Sequence, residues 1–158
     1  MVQANPQPAG ASNNRNVRHI PIGEDHLQFK HDTQIQAQLD ANEHIVFSCQ
    51  VLKYNRFGMK QTRNLLLTTH QICNVKDRSF QRSIRLSKVM GLSKSTQANN
   101  KEFIVHVRGE PDYRFICDLR DEFFEQTKAC YFHLQNDNVP VYGVPGALKE
   151  HCTSKKNA

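Results

Sequence analysis

Tryptophan is absent from the 158 residues, and so is any run of about 20 apolar residues. The second absence excludes a membrane-spanning helix. The five cysteines (Cys49, Cys73, Cys117, Cys130 and Cys152) include no C-x-x-C pair. An odd, scattered set predicts reduced thiols in a cytosolic compartment, with the strand-borne Cys49, Cys73 and Cys117 acting as small buried apolar residues. No two of the eight histidines show the spacing of a zinc site, so no metal or other cofactor is expected. The start of the chain is rich in Gln, Asn and Pro and lacks an apolar segment, which argues against a secretory signal.

Acidic residues are scarce in one place. Between Val51 and Arg108 only Asp77 and Glu102 stand against 12 Lys and Arg, while the rest of the chain is net acidic. The overall charge of +6 therefore hides an asymmetric molecule whose positive half favours anionic partners: lipid headgroups, nucleic acid or an acidic protein.

What is present reads as a sheet followed by a helix. Residues 1–23 are predicted to be a disordered polar tail. Residues 24–41 form a lead-in, with Ile35 and Leu39 four apart on a short helix over 32–40. From His44 the pattern turns to period two, with Ile45, Phe47, Cys49 and Val51 alternating against Val46, Ser48, Gln50 and Leu52. Strands then follow over 60–68, 71–76, 82–86, 89–93, 101–108 and 113–117. In the last stretch the period changes to that of a helix over 118–134. There Leu119, Phe123, Cys130, Tyr131 and Leu134 share a face, and Asp118 is positioned as the cap. The expected fold class is mainly β with a C-terminal α-helix: a seven-stranded curved sheet or barrel over residues 42–135, its open end covered by the helix. Residues 136–158 hold two prolines and two glycines and read as an extended arm with a frayed end.

The first hairpin stands out. Asn55 to Gly58 suits a tight turn, and Lys53, Arg56, Lys60 and Arg63 crowd around it with no acid between them. This is a candidate site for an anion such as a phosphate group, with Phe57 and Met59 at the tip as candidates for entering the headgroup region of a membrane; the competing reading is a solvated basic hairpin with Phe57 folded onto its own sheet. Lys76, Arg78, Arg82 and Arg85, followed by Lys88, form a second basic patch, in which Arg78 and Arg82 share a strand face and are candidates to point with the first loop; the patch equally suits charge that discourages sheet-edge aggregation. Asp121, Glu122 and Glu125 fit the start of a helix dipole rather than acid–base chemistry. No enzymatic activity is expected.

These residues carry a resemblance. Seven strands closed by a helix resemble the pleckstrin-homology-like architecture, and the local text is similar to the tail homology domain of class I myosins. The matching elements are Lys53-Tyr54-Asn55-Arg56 with Gly58, Arg63-Asn64-Leu65-Leu66-Leu67-Thr68, Val89-Met90-Gly91-Leu92-Ser93, Glu102 to Val107, and Asp112-Tyr113-Arg114-Phe115. The resemblance implies binding of anionic phospholipid, either phosphoinositides or phosphatidylserine, by a module at the cytoplasmic face of a membrane. It implies cytoskeletal association as well. The family signature is a lysine ending strand one, then basic-x-basic entering strand two. Lys53 and Arg63 match its ends, whereas Gln61 occupies the middle and Lys60 stands one residue early. No P-loop sequence is present, so the motor of a myosin is not part of this chain. The competing reading is a protein-interaction module of the same fold that accepts a peptide along a sheet edge. Nucleic acid ranks below both, because no strand has the glycine–aromatic pattern of an RNA-recognition surface.

Overall fold

A computed structural model describes residues 23–153; the tail expected over 1–23 and the frayed end fall almost wholly outside them. Eight strands form one sheet in the order β4-β3-β2-β1-β7-β6-β5-β8. They are β1 (Ile45–Tyr54), β2 (Lys60–Thr68), β3 (Gln71–Lys76), β4 (Ser79–Arg85), β5 (Val89–Ser95), β6 (Glu102–Val107), β7 (Tyr113–Ile116) and β8 (Val141–Val144). All neighbouring strands are antiparallel except β5 and β8.

Strand β1 joins the two halves. It pairs with β2 along its whole length, and its end pairs with β7 through Leu52↔Ile116 and Lys53↔Phe115. Phe47, Cys49 and Val51 face Leu67, Leu65 and Arg63 across the hairpin, so alternate residues of both strands point into the concave side. There they meet the central cluster of Ile72, Ile84, Leu92, Phe103, Val105, Phe115 and Phe123. Phe103 is its hub, with ring centroids 5.4, 5.3 and 5.5 Å from Phe115, Phe123 and Phe124.

The Leu65-Leu66-Leu67 run is continuous because both faces of β2 are covered. Leu66 points outward onto Phe29, Ile35, Cys73 and Val75, where the N-terminal lead-in lies across the sheet. The helix expected over 32–40 is one turn, α1 (Thr33–Gln36), started by the Asp32 carboxylate, which accepts from the Gln34 and Ile35 N–H groups. Beyond it the backbone makes i→i+3 turns, Gln38 N–H to Ile35 and Leu39 N–H to Gln36, and the Gln38 side chain bonds the Arg78 carbonyl and the Phe80 N–H at the start of β4.

Three sequence expectations need correction. The C-terminal arm is an eighth strand: Leu92 through Ser95 pair with Val141 through Val144, after Pro140 has accepted the Leu92 N–H at 2.9 Å. Gly143 leaves room there, since a Cβ would lie 2.8 Å from the Thr96 methyl, which would have to turn away. The second helix, α2 (Arg120–Gln135), begins without help from Asp118; Leu119 is the cap residue and no side-chain cap bond forms. Its buried face is Arg120, Phe123, Phe124, Thr127 and Cys130, so Leu134 lies exposed. Leu86 belongs to a short 3-10 turn, Leu86–Lys88, rather than to β4.

Arg120 anchors the helix start in another way. Its buried guanidinium donates to the Ser95 and Asn100 carbonyls at 3.2 and 2.8 Å, tying the helix start to the β5–β6 loop. Because Phe103 touches three other rings, Phe103→Ala is expected to lower the unfolding free energy by about 3–5 kcal/mol in a urea titration. An effect below about 1 kcal/mol would mean that the ring cluster is not the core.

Candidate functional site

The β1–β2 turn is rigid for local reasons. The Asn55 side chain accepts the Phe57 and Met59 N–H groups at 2.9 and 3.0 Å, and the Asn55 N–H returns a bond to the Met59 carbonyl. Gly58 takes φ 78°, a left-handed conformation that costs glycine little. The turn therefore holds Phe57 and Met59 out at 71% and 58% exposure, with the Arg56 guanidinium 4.7 Å over the Phe57 ring.

Register decides which cations meet. Lys53 lies opposite Gln61, and Arg63 opposite Val51. Since Val51 is in the central core, Lys53, Gln61 and Arg63 all belong to the concave face, at the mouth of the barrel. Lys60 pairs with Tyr54, one residue out of phase, and its ammonium lies 5.8 Å from the Tyr54 ring on the convex face. Gln61, not Lys60, thus fills the middle place of the signature.

The second basic patch divides. Arg82 shares the face of core residue Ile84 in β4 and lies with its guanidinium 4.4 Å from the Tyr113 ring, so it joins Lys53 at the mouth. Arg78 is held by Asp32 at 2.9 Å and Arg85 approaches Asp40 at 3.7 Å. Lys88 turns to Glu110, while Lys76 lines a separate cleft beside Asp77 and Arg78. The lead-in carboxylates beside Arg78 and Arg85 come from sequence positions more than 40 residues away, which is why the sequence showed only a basic stripe.

The mouth is electrostatically loaded. Burial first, and then the charges of Arg63 and Arg82, lower the pKa of Lys53 below the usual lysine value. Among the described residues Lys53, Arg56, Lys60 and Arg63 make no ion pair with a carboxylate. The Arg63 guanidinium donates to the Thr62 carbonyl and the Gln61 side chain instead. Arg82 has Glu110 at 3.7 Å. Beneath it, Asn74 faces Arg82 in the register and is buried, and its Oδ1 has no hydrogen-bond partner. A cleft of about 370 Å³ opens here, with Lys53, Arg56 and Arg82 among its lining residues.

Two other constellations appear only in three dimensions. Ser93 Oγ lies 2.6 Å from His106 Nε2, and His106 Nδ1 lies 3.1 Å from Asp112. The order imitates a catalytic triad, yet Ser93 is buried in mid-strand between β6 and β8. Its sheet-paired position offers no oxyanion site for acyl transfer. Burial opposes ionisation of Asp112, but hydrogen bonds from His106 and from the Thr153 and Val107 N–H groups hold its carboxyl below the usual range. Glu24, His26 and Glu122 also bring three donor atoms within 4.8 Å. Both His26 nitrogens already face carboxylates, at 3.5 and 3.2 Å, so the histidine links the lead-in to α2. Cys49, Cys73, Cys117 and Cys130 are buried, as their strand or helix positions suggest, and the Cys49 and Cys117 sulfurs lie 3.2 Å apart.

A model of the family described as unconventional myosin tail, actin- and lipid-binding, matches residues 23–142. A comparison with curated proteins finds no match. Among solved structures, the hSac2 domain of the human phosphoinositide phosphatase Sac2 superposes with a TM-score of 0.58 at 11% identity, covering 86% of this chain and 98% of that one. The Slm1 pleckstrin homology domain in complex with D-myo-inositol-4-phosphate gives 0.44 at 18% identity, over 52% of this chain and 92% of its own. The C-terminal domain of an unknown protein from Leishmania infantum gives 0.48 at 15%, over 58% and 87%. At these identities the likeness concerns the fold alone: a curved, mainly β sheet with one long helix.

A lysine whose folded pKa is lowered binds its proton less tightly in the fold than in the unfolded chain. It therefore depresses stability at neutral pH, and this penalty lifts as pH rises through the folded pKa towards the unfolded value of about 10.4. Lys53→Met is accordingly expected to raise the urea midpoint of the free protein at pH 7. A lowered midpoint would show that the ammonium has a stabilising partner.

Proposed function

The chain belongs to the unconventional myosin tail family, whose members are described as actin- and lipid-binding, and from that premise we propose a non-enzymatic module that binds anionic phospholipid at the barrel mouth. The observation that carries this reading is the register of the first hairpin. It gathers Lys53 and Arg63 on the concave rim beside Arg82, with repulsion among them that an anion relieves. A phosphorylated inositol ring suits the site better than a bare anion, because the cleft of about 370 Å³ beside these cations has room for a ring. With glutamine at position 61 one of the converging cations of the family signature is replaced by a neutral amide. Recognition then rests on Lys53, Arg63 and Arg82, with Arg56 reaching in from the turn.

Magnitudes set the kind of binding. Each cation near an anionic bilayer contributes about 1 kcal/mol, and a half-inserted Phe57 adds about 1–1.5 kcal/mol. The sum of about 5–5.5 kcal/mol corresponds to a dissociation constant near 10⁻⁴ M. Such a module sits peripherally and reversibly on the cytoplasmic side of a membrane, and it gains residence from a matched headgroup or from a second attachment.

The peptide-binding reading needs a free sheet edge. One edge strand, β4, already has Gln38 bonded at Arg78 and Phe80; the other, β8, is four residues long. Vesicle co-sedimentation separates the two readings. Binding is expected to grow with the fraction of phosphatidylserine or phosphoinositide and to weaken with salt. It is expected to fall at least tenfold when Lys53 and Arg63 are both changed to Glu. Equal behaviour on neutral and acidic vesicles would overturn the lipid reading and favour a peptide partner, whereas a salt-sensitive mobility shift with nucleic acid would redirect it to that class.

A further inference from the structure

The cleft at the mouth has a second wall, and part of it comes from residues beyond the 23–142 stretch that the family model matches. After β8 the chain folds back into a 3-10 turn, Leu148–His151. Leu148 is buried against Ile104 and Val144 on the convex face of the sheet. Two further bonds pin the end: Asp112 N–H donates to the Thr153 carbonyl at 2.8 Å, and the Thr153 N–H donates to the Asp112 carboxylate at 3.0 Å. His106, hydrogen-bonded to the same carboxylate, completes the latch.

This latch brings Lys149 and Cys152 into the lining of the cleft, together with Tyr54 and Arg114. The Arg114 guanidinium stacks 3.7 Å from the Tyr54 ring centroid and is ion-paired with Glu102, so it is fixed and largely neutralised. Lys149, by contrast, is exposed and makes no ion pair with a carboxylate among the described residues. The cleft therefore has cations on two walls. Lys53 and Arg82 lie on the concave side and Lys149 on the convex side, and Arg56 of the hairpin turn also lines the cleft.

We propose that the C-terminal turn is part of the ligand site, and that Lys149 supplies a second phosphate position, so that the cleft selects a ring bearing two or more phosphates over one bearing a single phosphate. This inference rests on the phospholipid reading of the mouth and deepens it. A single phosphate is satisfied by Lys53 and Arg82 and leaves Lys149 without a partner. A ring that spans the cleft, whose volume of about 370 Å³ lies in the range of sites for small organic ligands, engages both walls. A charge-assisted bond to Lys149 then adds to binding only for the multiply phosphorylated ligand. The same chemistry is carried by a membrane phosphoinositide and by a free inositol polyphosphate.

The test uses the full chain and calorimetric titration with free inositol monophosphate, bisphosphate and trisphosphate, alongside vesicles carrying the matching lipids. Lys149→Gln is expected to weaken binding of the bis- and trisphosphates about five- to tenfold and to leave the monophosphate unchanged, while Lys53→Gln weakens all three. An unaltered thermal midpoint in Lys149→Gln checks that the latch is intact, and Lys149→Arg is expected to restore the preference. If Lys149→Gln binds every ligand as the wild type does while Lys53→Gln does not, the second position is overturned and the lipid reading stands. An equal loss for mono- and bisphosphate would also overturn it, reducing Lys149 to a contribution to the general field. If no phosphorylated ring or acidic vesicle binds the wild type, the lipid reading falls and takes this inference with it. Tight binding of free polyphosphate that vesicles cannot compete away assigns the two-walled cleft to a soluble ligand; effective competition assigns it to the membrane.

Discussion

The pairing of Val51 with Arg63 and of Lys53 with Gln61 is the constraint from which the rest of the molecule follows. A strand alternates its side chains, so the residue that fills the core and the residue that faces the ligand are locked two positions apart. A slip by one residue would carry Phe47, Cys49 and Val51 out of the central cluster and Lys53 away from the mouth together. Each large buried side chain moved to solvent costs about 1.5–3 kcal/mol, far more than the repulsion between two half-buried cations. The core therefore holds the like charges in place, and the mouth remains positive although that arrangement opposes ionisation of Lys53.

Both ends of the chain protect the surfaces that such a sheet leaves open. The lead-in covers the convex face of β2 and β3 through Phe29 and Ile35, and its carboxylates Asp32 and Asp40 take up Arg78 and Arg85. The C-terminal segment covers β5 and β6 through β8 and Leu148. The two coverings differ in consequence. One sets a carboxylate beside Arg78 and Arg85 while Arg82 turns to the mouth, where Glu110 lies 3.7 Å away, whereas the other adds a cation to the cleft. The positive charge counted over Val51 to Arg108 is thereby redistributed, and its concentrated part is the rim.

Helix α2 is bound into the same arrangement. Its buried aromatic pair Phe123 and Phe124 contacts Phe103, while Arg120 secures the β5–β6 loop at the opposite end of the barrel from the mouth. Rigidity at the closed end and openness at the loaded end are complementary, because a cluster of cations is a specific site only when its spacing is held before the ligand arrives.

The strands of the sheet, the Asn55–Gly58 turn, the single long helix and the basic hairpin were legible in the sequence, since each is set by residues a few positions apart. Period two, the conformational freedom of glycine and the change to a helical period are local signals. The eighth strand was hidden by Pro140 and Gly143, which read as breakers but here serve an edge strand. The helix cap was misread because Asp118 has the right chemistry one residue too early, and Arg120 anchors that end from within the core. The convergence of Arg82 on Lys53, the loss of Arg78 and Arg85 to Asp32 and Asp40, the separation of Lys60 from the rim and the approach of Lys149 were left to the tertiary structure. Each depends on which distant strand lies alongside, and charges attract or repel through space irrespective of their distance along the chain. Local order thus came from the sequence read in short windows, and the site came from the register that packing imposed on it.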